Sequence, residues 1–290
     1  MTLTQLRYFR QACQEKSLSQ AAETLHISQP SVSVAIRELE QEFGFRLINR
    51  CGRTFSLTRE GQAFLEQADS LLSHADSFQN NMQGLAGEGE EIRLGVPPMV
   101  GSLLLPPLYA AMEESSRRFH ITIVESGRQP LLDQLDHYKL DMAFLPHTMP
   151  WTSYGSLPVM QIDTVCCTSL IHPAGKKRSV SMKDLKDEPL VLFNQDFFQT
   201  ERVLERFRQE GAEPHILLQT EQLSTIRKMI ARNLAISFLF RDLAEPMHDI
   251  VSVPLDPPMP VGISLVWRSD VPPTAVRKSF LDFVSSLFLP

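Results

Sequence analysis

Residues 19–40 read SQAAETLHISQPSVSVAIRELE, and no other stretch limits the fold as much. It demands two short helices with a tight break at His26-Ile27-Ser28. Ser17 or Ser19 caps the first, whose inner side carries Ala21, Ala22 and Leu25; small alanines let a second helix approach closely. Ile27 plugs the turn. Ser28 caps the next helix, and Pro30 suits its first turn, where a missing N–H costs nothing. Val32, Ile36 and Leu39 recur at helical spacing and face inward, leaving Gln29, Ser31, Ser33, Val34, Ala35 and Arg37 outside. A preceding helix is expected from Thr4 to about Glu15, with Leu3, Leu6, Phe9 and Cys13 on one face. Spacing alone leaves two readings open: an ordinary trihelical core, or a helix-turn-helix whose polar, hydroxyl-rich second helix enters a DNA major groove.

The following stretch favours the second reading. Residues 43–61, FGFRLINRCGRTFSLTREG, give two short β-prone runs around Cys51-Gly52-Arg53, a hairpin wing with Arg50 and Arg53 at its tip. Such arginines clamp phosphates or enter a minor groove. The chain carries 28 basic and 34 acidic residues, a net charge of −6. Residues 1–60 hold eight of the basic and six of the acidic ones, so a mildly basic head sits on an acidic body. Nucleic-acid binding depends on the local field, and the acidic total does not exclude it.

Residues 1–61 resemble the N-terminal winged helix-turn-helix of the LysR-type transcriptional regulators. The resemblance rests on Leu6, Phe9, Ala21, Ala22, Leu25, Ser28-Gln29-Pro30, Ser33, Ile36, Leu39-Glu40, Gly44, Leu47, Arg50, Arg53, Leu57-Thr58 and Gly61. It implies DNA contacts from Ser28, Gln29, Pro30, Ser31, Ser33, Val34, Arg37, Arg50 and Arg53. Family members often carry a basic residue where this chain has Val34 and a polar one where it has Ala35. Readout is therefore expected to rest more on Gln29, Ser31 and methyl contacts from Val34 and Ala35 to thymine.

From Arg59 to about Leu85 the pattern is helical and free of proline. Phe64, Ala68, Leu71, Ala75, Phe78, Met82 and Leu85 form a heptad seam suited to a two-helix coiled coil, while Glu66, Gln67, Asp69, Asp76, Asn80 and Asn81 keep the outer faces polar. A homodimer through this helix places two heads on two half-sites, and the family resemblance implies the same, with a pair of such dimers as a homotetramer. GLAGEGEE, residues 84–91, is a Gly-rich acidic hinge.

Beyond Ile92, short β runs alternate with helices, which predicts a mostly parallel α/β sheet in two small lobes, with ligand between them. The runs 92–108, 132–145 and 229–243 resemble the family's periplasmic-binding-protein-like (type 2) effector domain, with Asn233 where a glycine is common. The expected organisation is multi-domain α/β: 1–58 winged helix-turn-helix, 59–87 linker helix, 92–290 effector domain. Its first lobe should span about 92–163 with 267–290, and its second about 164–266. Strand-to-helix loops supply the candidate effector contacts: Pro98, Met99, Val100, Gly101, Ser102, Gly127, Arg128, Asn194, Phe197, Phe198 and Thr220. Ser102 suits either a helix cap or a ligand; Phe197 and Phe198 suit pocket walls or plain core; Arg128 suits a ligand charge or an ordinary surface arginine.

Enzyme motifs are missing: no GxSxG, P-loop, GxGxxG or HExxH occurs, and the eight histidines are scattered. Neither a metal nor a cofactor is expected. Cys13, Cys51, Cys166 and Cys167 form no disulfide framework. Without a signal peptide or an apolar run of membrane length, the chain is expected in the cytoplasm. The expected function is a DNA-binding transcriptional regulator that answers to a small-molecule effector and can contact RNA polymerase. The alternative is a cytoplasmic small-molecule binding protein whose helical head serves assembly.

Overall fold

The computed structural model describes residues 1–49, 55–85, 91–115, 117–271 and 273–289. Arg50, Arg53 and hinge positions 86–90 lie outside the described residues. The chain forms two compact units, Met1–Met82 with His137–Lys139, and the remainder.

The head contains α1 (Leu3–Glu15), α2 (Leu18–Thr24), α3 (Gln29–Phe43) and the start of α4 (Arg59–Leu85). The caps are those the sequence offers. Thr2 and Gln5 close a capping box on α1, Ser17 accepts from Gln20 N, and Ser28 accepts from Ser31 N. Gly44 ends α3 at φ 75°, a left-handed conformation that glycine adopts without a Cβ penalty. Leu6, Phe9, Ala21, Ala22, Val32, Ile36, Leu39, Leu47, Ala68 and Leu72 form one core. Ala35 is buried too, so it does not lie on the outer surface as the spacing suggested. At 100° per residue it sits 40° beyond Leu39, at the edge of the inward stripe.

The body contains β1 (Glu91–Val96), α5 (Pro98–Glu114), β2 (His120–Glu125), α6 (Arg128–Asp136), β3 (Met142–His147), β4 (Tyr154–Ser169), β5 (Pro189–Phe193), α7 (Phe198–Gln209), β6 (His215–Thr220), α8 (Leu223–Ala231), β7 (Ser237–Phe240), α9 (Arg241–Ala244), β8 (Ile250–Arg268) and α10 (Ala275–Phe288). The main sheet runs β2-β1-β3-β8-β4-β7, and β5 pairs with β6 beside it. It is mixed, not mostly parallel. β1 pairs in parallel with β2 and β3, whereas β3–β8, β8–β4 and β4–β7 are antiparallel. β4 and β8 are long where the sequence suggested short β runs, and together they run through both lobes. Gly262–Val266 pair with β3, so the first lobe's share of β8 begins earlier than position 267.

Asn233 has φ 57°, which explains an asparagine at a position suited to glycine: both visit the left-handed region. Its Oδ1 also accepts from Ser169 Oγ at 2.6 Å.

A buried ion network holds the first lobe. Asp141 accepts from Arg93 N at 2.8 Å and Arg93 Nη2 at 2.8 Å, and from Arg277 Nη2 at 2.8 Å. It thereby ties α10 to the β1–β3 layer. Asp141→Asn removes the charge that both guanidiniums share. It is expected to cost about 3 kcal/mol, read as a lower urea midpoint for the first lobe. An unchanged midpoint would show that packing alone holds α10.

Candidate functional site

Two surfaces carry the candidate residues. On the head, the N-terminal half of α3 is presented outward. Gln29, Pro30, Ser31 and Arg37 are exposed, Val34 is 46% exposed and Ser33 is half-buried. Ser28 and Ser31 share a hydroxyl contact of 2.8 Å, so the Ser31 hydroxyl is partly engaged by its own cap. The base of the wing is locked to this helix. Glu40 Oε1, on α3, accepts from Leu47 N at 2.9 Å and Ile48 N at 3.4 Å, and Ile48 bridges antiparallel to Leu57. Thr58 Oγ1 donates to Arg46 O at 2.6 Å and accepts from Gly61 N at 2.8 Å, which joins the wing base to α4. A Cβ on Gly61 would stand 2.0 Å from Leu47 O, so only glycine fits there. The tip arginines Arg50 and Arg53 fall outside the described residues.

The heptad seam of α4 divides by burial. Ala68 is buried in the head's own core, and Phe64 packs edge-on against Phe9 at 5.6 Å and Phe43 at 5.1 Å. Leu72, which the heptad omitted, is fully buried there. Leu71, Phe78 and Met82 are exposed at 42%, 59% and 45%, and Ala75 is half-buried. An apolar groove of about 660 Å³, lined by Met1, Leu6, Phe43, Phe45, Phe64 and Leu71, continues this face.

In the body, the loop candidates separate. Met99, Val100, Arg128, Phe197 and Phe198 meet in one cleft with Pro97, Pro146, Gln199 and Phe240; its free volume is about 20 Å³. Pro98, Gly101, Ser102, Asn194 and Thr220 do not line it. Ser102 is not a helix cap: α5 already starts at Pro98, and Ser102 Oγ donates to Pro98 O at 2.9 Å. Asn194 donates to Glu221 Oε1 at 3.1 Å, and Thr220 Oγ1 accepts from Gln222 N at 3.2 Å, so both stabilise their own loops. Gly127 marks a close approach between lobes, since a Cβ there would lie 2.5 Å from Asp196 Oδ2.

Arg128 is the least expected of these placements. Its guanidinium stands 5.1 Å from the Trp151 ring and 5.3 Å from the Phe198 ring. Burial lowers its pKa, opposed by Glu201. A second cavity of about 410 Å³ opens on its other side, lined by His147, Met149, Trp151, Tyr154, Phe198, Glu201, Arg202 and Glu205. Sequence reasoning passed over Trp151, in the loop after β3, and Tyr154, the first residue of β4; neither belongs to a motif. Burial lowers the His147 pKa, so the ring is neutral near pH 7. His147 lies against the backbone of Gly262, and its Nε2 is 2.8 Å from Ser264 Oγ.

Cys166 and Cys167 point to opposite faces of β4 and both are fully buried, each in a different core. Burial pushes the Cys167 thiol up to about 12 and the Cys166 thiol well above its usual value. Half-buried Cys13 is pushed up to about 12 by burial and by Asp69.

With this geometry established, comparison with known proteins is informative. The model of the "bacterial regulatory helix-turn-helix protein, lysR family" matches residues 3–62, and that of the "LysR substrate binding domain" matches residues 85–288. The uncharacterised HTH-type transcriptional regulator YwbI of Bacillus subtilis is 27% identical, spanning 99% of this chain and 96% of its own. The hydrogen peroxide-inducible genes activator of Dickeya chrysanthemi is 28% identical over 94% of this chain and 91% of its own. A full-length OxyR variant from Pseudomonas aeruginosa superposes with TM-score 0.67 at 25% identity, covering 100% and 95% of the two chains. CbnR in complex with its target DNA gives TM-score 0.73 at 21% identity, covering 99% and 100%, which speaks for the fold alone.

Two outcomes are expected. In the native chain at pH 8, no more than one of the four thiols should react promptly with a disulfide reagent, because the thiolate is the nucleophile; prompt reaction of two or more would contradict the burial described. Gly127→Val should push Asp196 away and raise amide exchange across residues 193–200 roughly tenfold; unchanged exchange would show that the lobes do not lean on this contact.

Proposed function

Because the chain belongs to the LysR family of bacterial helix-turn-helix transcriptional regulators, we propose that it works in the cytoplasm as a homodimer, paired further into a tetramer, whose heads grip two half-sites of promoter DNA. The observation that carries this reading is the outward face of α3, held at a fixed angle to the wing by Glu40. Gln29 and Ser31 supply hydrogen bonds to base edges, Val34 offers methyl groups to thymine, and Ser28, Ser33 and Arg37 contact phosphates. Arg50 and Arg53 on the wing add charge contacts. The exposed side chains Leu71, Phe78 and Met82 belong to the dimer seam, with Ala75 between them. The groove lined by Phe43, Phe45 and Phe64 supports docking of a second copy there.

The body binds a small effector between its lobes and serves binding rather than catalysis. The ligand shifts the balance between two lobe arrangements only by its difference in affinity for them. That shift alters the spacing of the paired heads, and with it DNA bending and contact with RNA polymerase. The relatives' name suggests a second reading, a response to hydrogen peroxide. Cys13, Cys166 and Cys167 give it no support, since burial holds all three as thiols.

Sheared genomic DNA pulled down with the purified protein, then sequenced, should yield a few fragments sharing a two-fold related motif. Uniform recovery that vanishes with added salt would count against sequence reading. On a recovered fragment, Arg50→Ala with Arg53→Ala should weaken binding and reduce the salt slope by about 2, one for each lost phosphate contact. Phe78→Glu with Met82→Glu should yield monomers in sedimentation; a persisting dimer would place the seam elsewhere.

A further inference from the structure

The cleft between the lobes holds about 20 Å³ of free space, room for one water and far below the roughly 300 Å³ at which small-molecule sites begin. The protein's own side chains fill it. Pro97, Met99 and Val100 of the first lobe meet Phe197, Phe198 and Phe240 of the second across that space. Met99, Val100 and the three phenylalanines belong to one apolar core, and each is at most 6% exposed. Helix α5 of the first lobe lies against α9 of the second. Gly127 approaches Asp196 so closely that a Cβ would stand 2.7 Å from its backbone oxygen. Parting the lobes returns apolar surface to water, which favours the shut arrangement.

Arg128 adds a directed contact to this apolar one. It opens α6 in the first lobe, and its guanidinium stands 5.1 Å from the Trp151 ring of that lobe and 5.3 Å from the Phe198 ring of the other. Glu201, three residues beyond Phe198 on the same side of α7, supports its charge. A ring face and a carboxylate on one helix of the second lobe thus attract one cation of the first, and both attractions are lost when the lobes part. Cation–ring attraction is strongest where water is excluded, as it is here.

We propose that Arg128 is the latch of a body that rests shut, so that an effector enters the cleft only when the lobes part. This rests on the reading of the body as an effector domain. A ligand has no space to close upon where one water fills the gap. It binds the parted arrangement, and its apparent affinity falls by the fraction of molecules in that state. Loosening the Arg128 contact raises that fraction, so the strength of this contact sets the effector threshold.

Amide hydrogen exchange on the purified full-length protein, with no small molecule added, reads the latch. The reporters are Gly101 N, bonded to Pro97 O, and Phe197 N, bonded to Asn194 O, one on each wall of the cleft. Arg128→Ala should raise exchange about tenfold at both walls and Arg128→Lys less, while residues 92–94 of β1 and 190–192 of β5 exchange as in the native chain, which shows that each lobe stays folded. Phe198→Leu should raise exchange at the walls too. The double variant should fall short of the product of the two single effects, because both residues act through one contact. Unchanged exchange at either wall, or single effects that simply multiply, would overturn the latch. Footprinting of Arg128→Ala on a recovered promoter fragment separates the two levels. An altered footprint without ligand supports both. A native footprint beside raised exchange at both walls leaves the latch standing and counts against the proposed coupling of lobes to heads.

Discussion

The antiparallel pairing of β4 with β8 is the constraint on which the body depends. From Tyr154 opposite Arg268 to Ser169 opposite Ile250, one ladder passes through both lobes. In the first lobe β8 takes β3 as its other neighbour, and in the second β4 takes β7. The register shifts at Pro158/Met160 and again at Thr164/Val165, where residues 255–258 of β8 are left out of the pairing. Between these breaks the lobes share two strands of backbone hydrogen bonds and little else of the sheet, a geometry that bends more readily than it stretches. The loops bearing Gly127, Arg128, Phe197 and Phe198 project from the two halves so joined.

Much of this was legible in the sequence, and the gaps have physical causes. Hydroxyl caps and Pro30 punctuate the head, so the starts of its first three helices were read to within a residue or so. The inward turn of Ala35 and the use of Leu72 in place of Leu71 were not read, because a straight helix drifts from a strict heptad once it packs on a globular domain. Only short β runs were read where β4 and β8 are long, because Pro158, Pro254, Pro257, Pro258 and Pro260 interrupt the β pattern. Prolines suit strands at bulges, which is where the ladder slips. For Arg128 the sequence offered only the default of a surface arginine. Its place between two rings depends on Trp151, twenty-three residues later, and on Phe198 in the other lobe.

A relative named for hydrogen peroxide spans 94% of this chain at 28% identity. Cys166 and Cys167, set back to back on a strand common to both lobes, fill two separate cores. Their sulfur serves as volume.

The Glu40 carboxylate, which receives two amide protons from the wing base, has a consequence for how such a regulator changes over generations. Val32, Ile36 and Leu39 fix one side of α3 in the core while Glu40 fixes the wing, so the docking angle is independent of the residues presented to DNA. On the proposed reading, exchange of Gln29, Ser31 or Val34 one at a time alters which base is preferred while the inward residues of α3 and Glu40 keep helix and wing in place. A lineage built this way can acquire new operators gradually, through intermediates that still bind DNA, while the switch in the body is inherited intact.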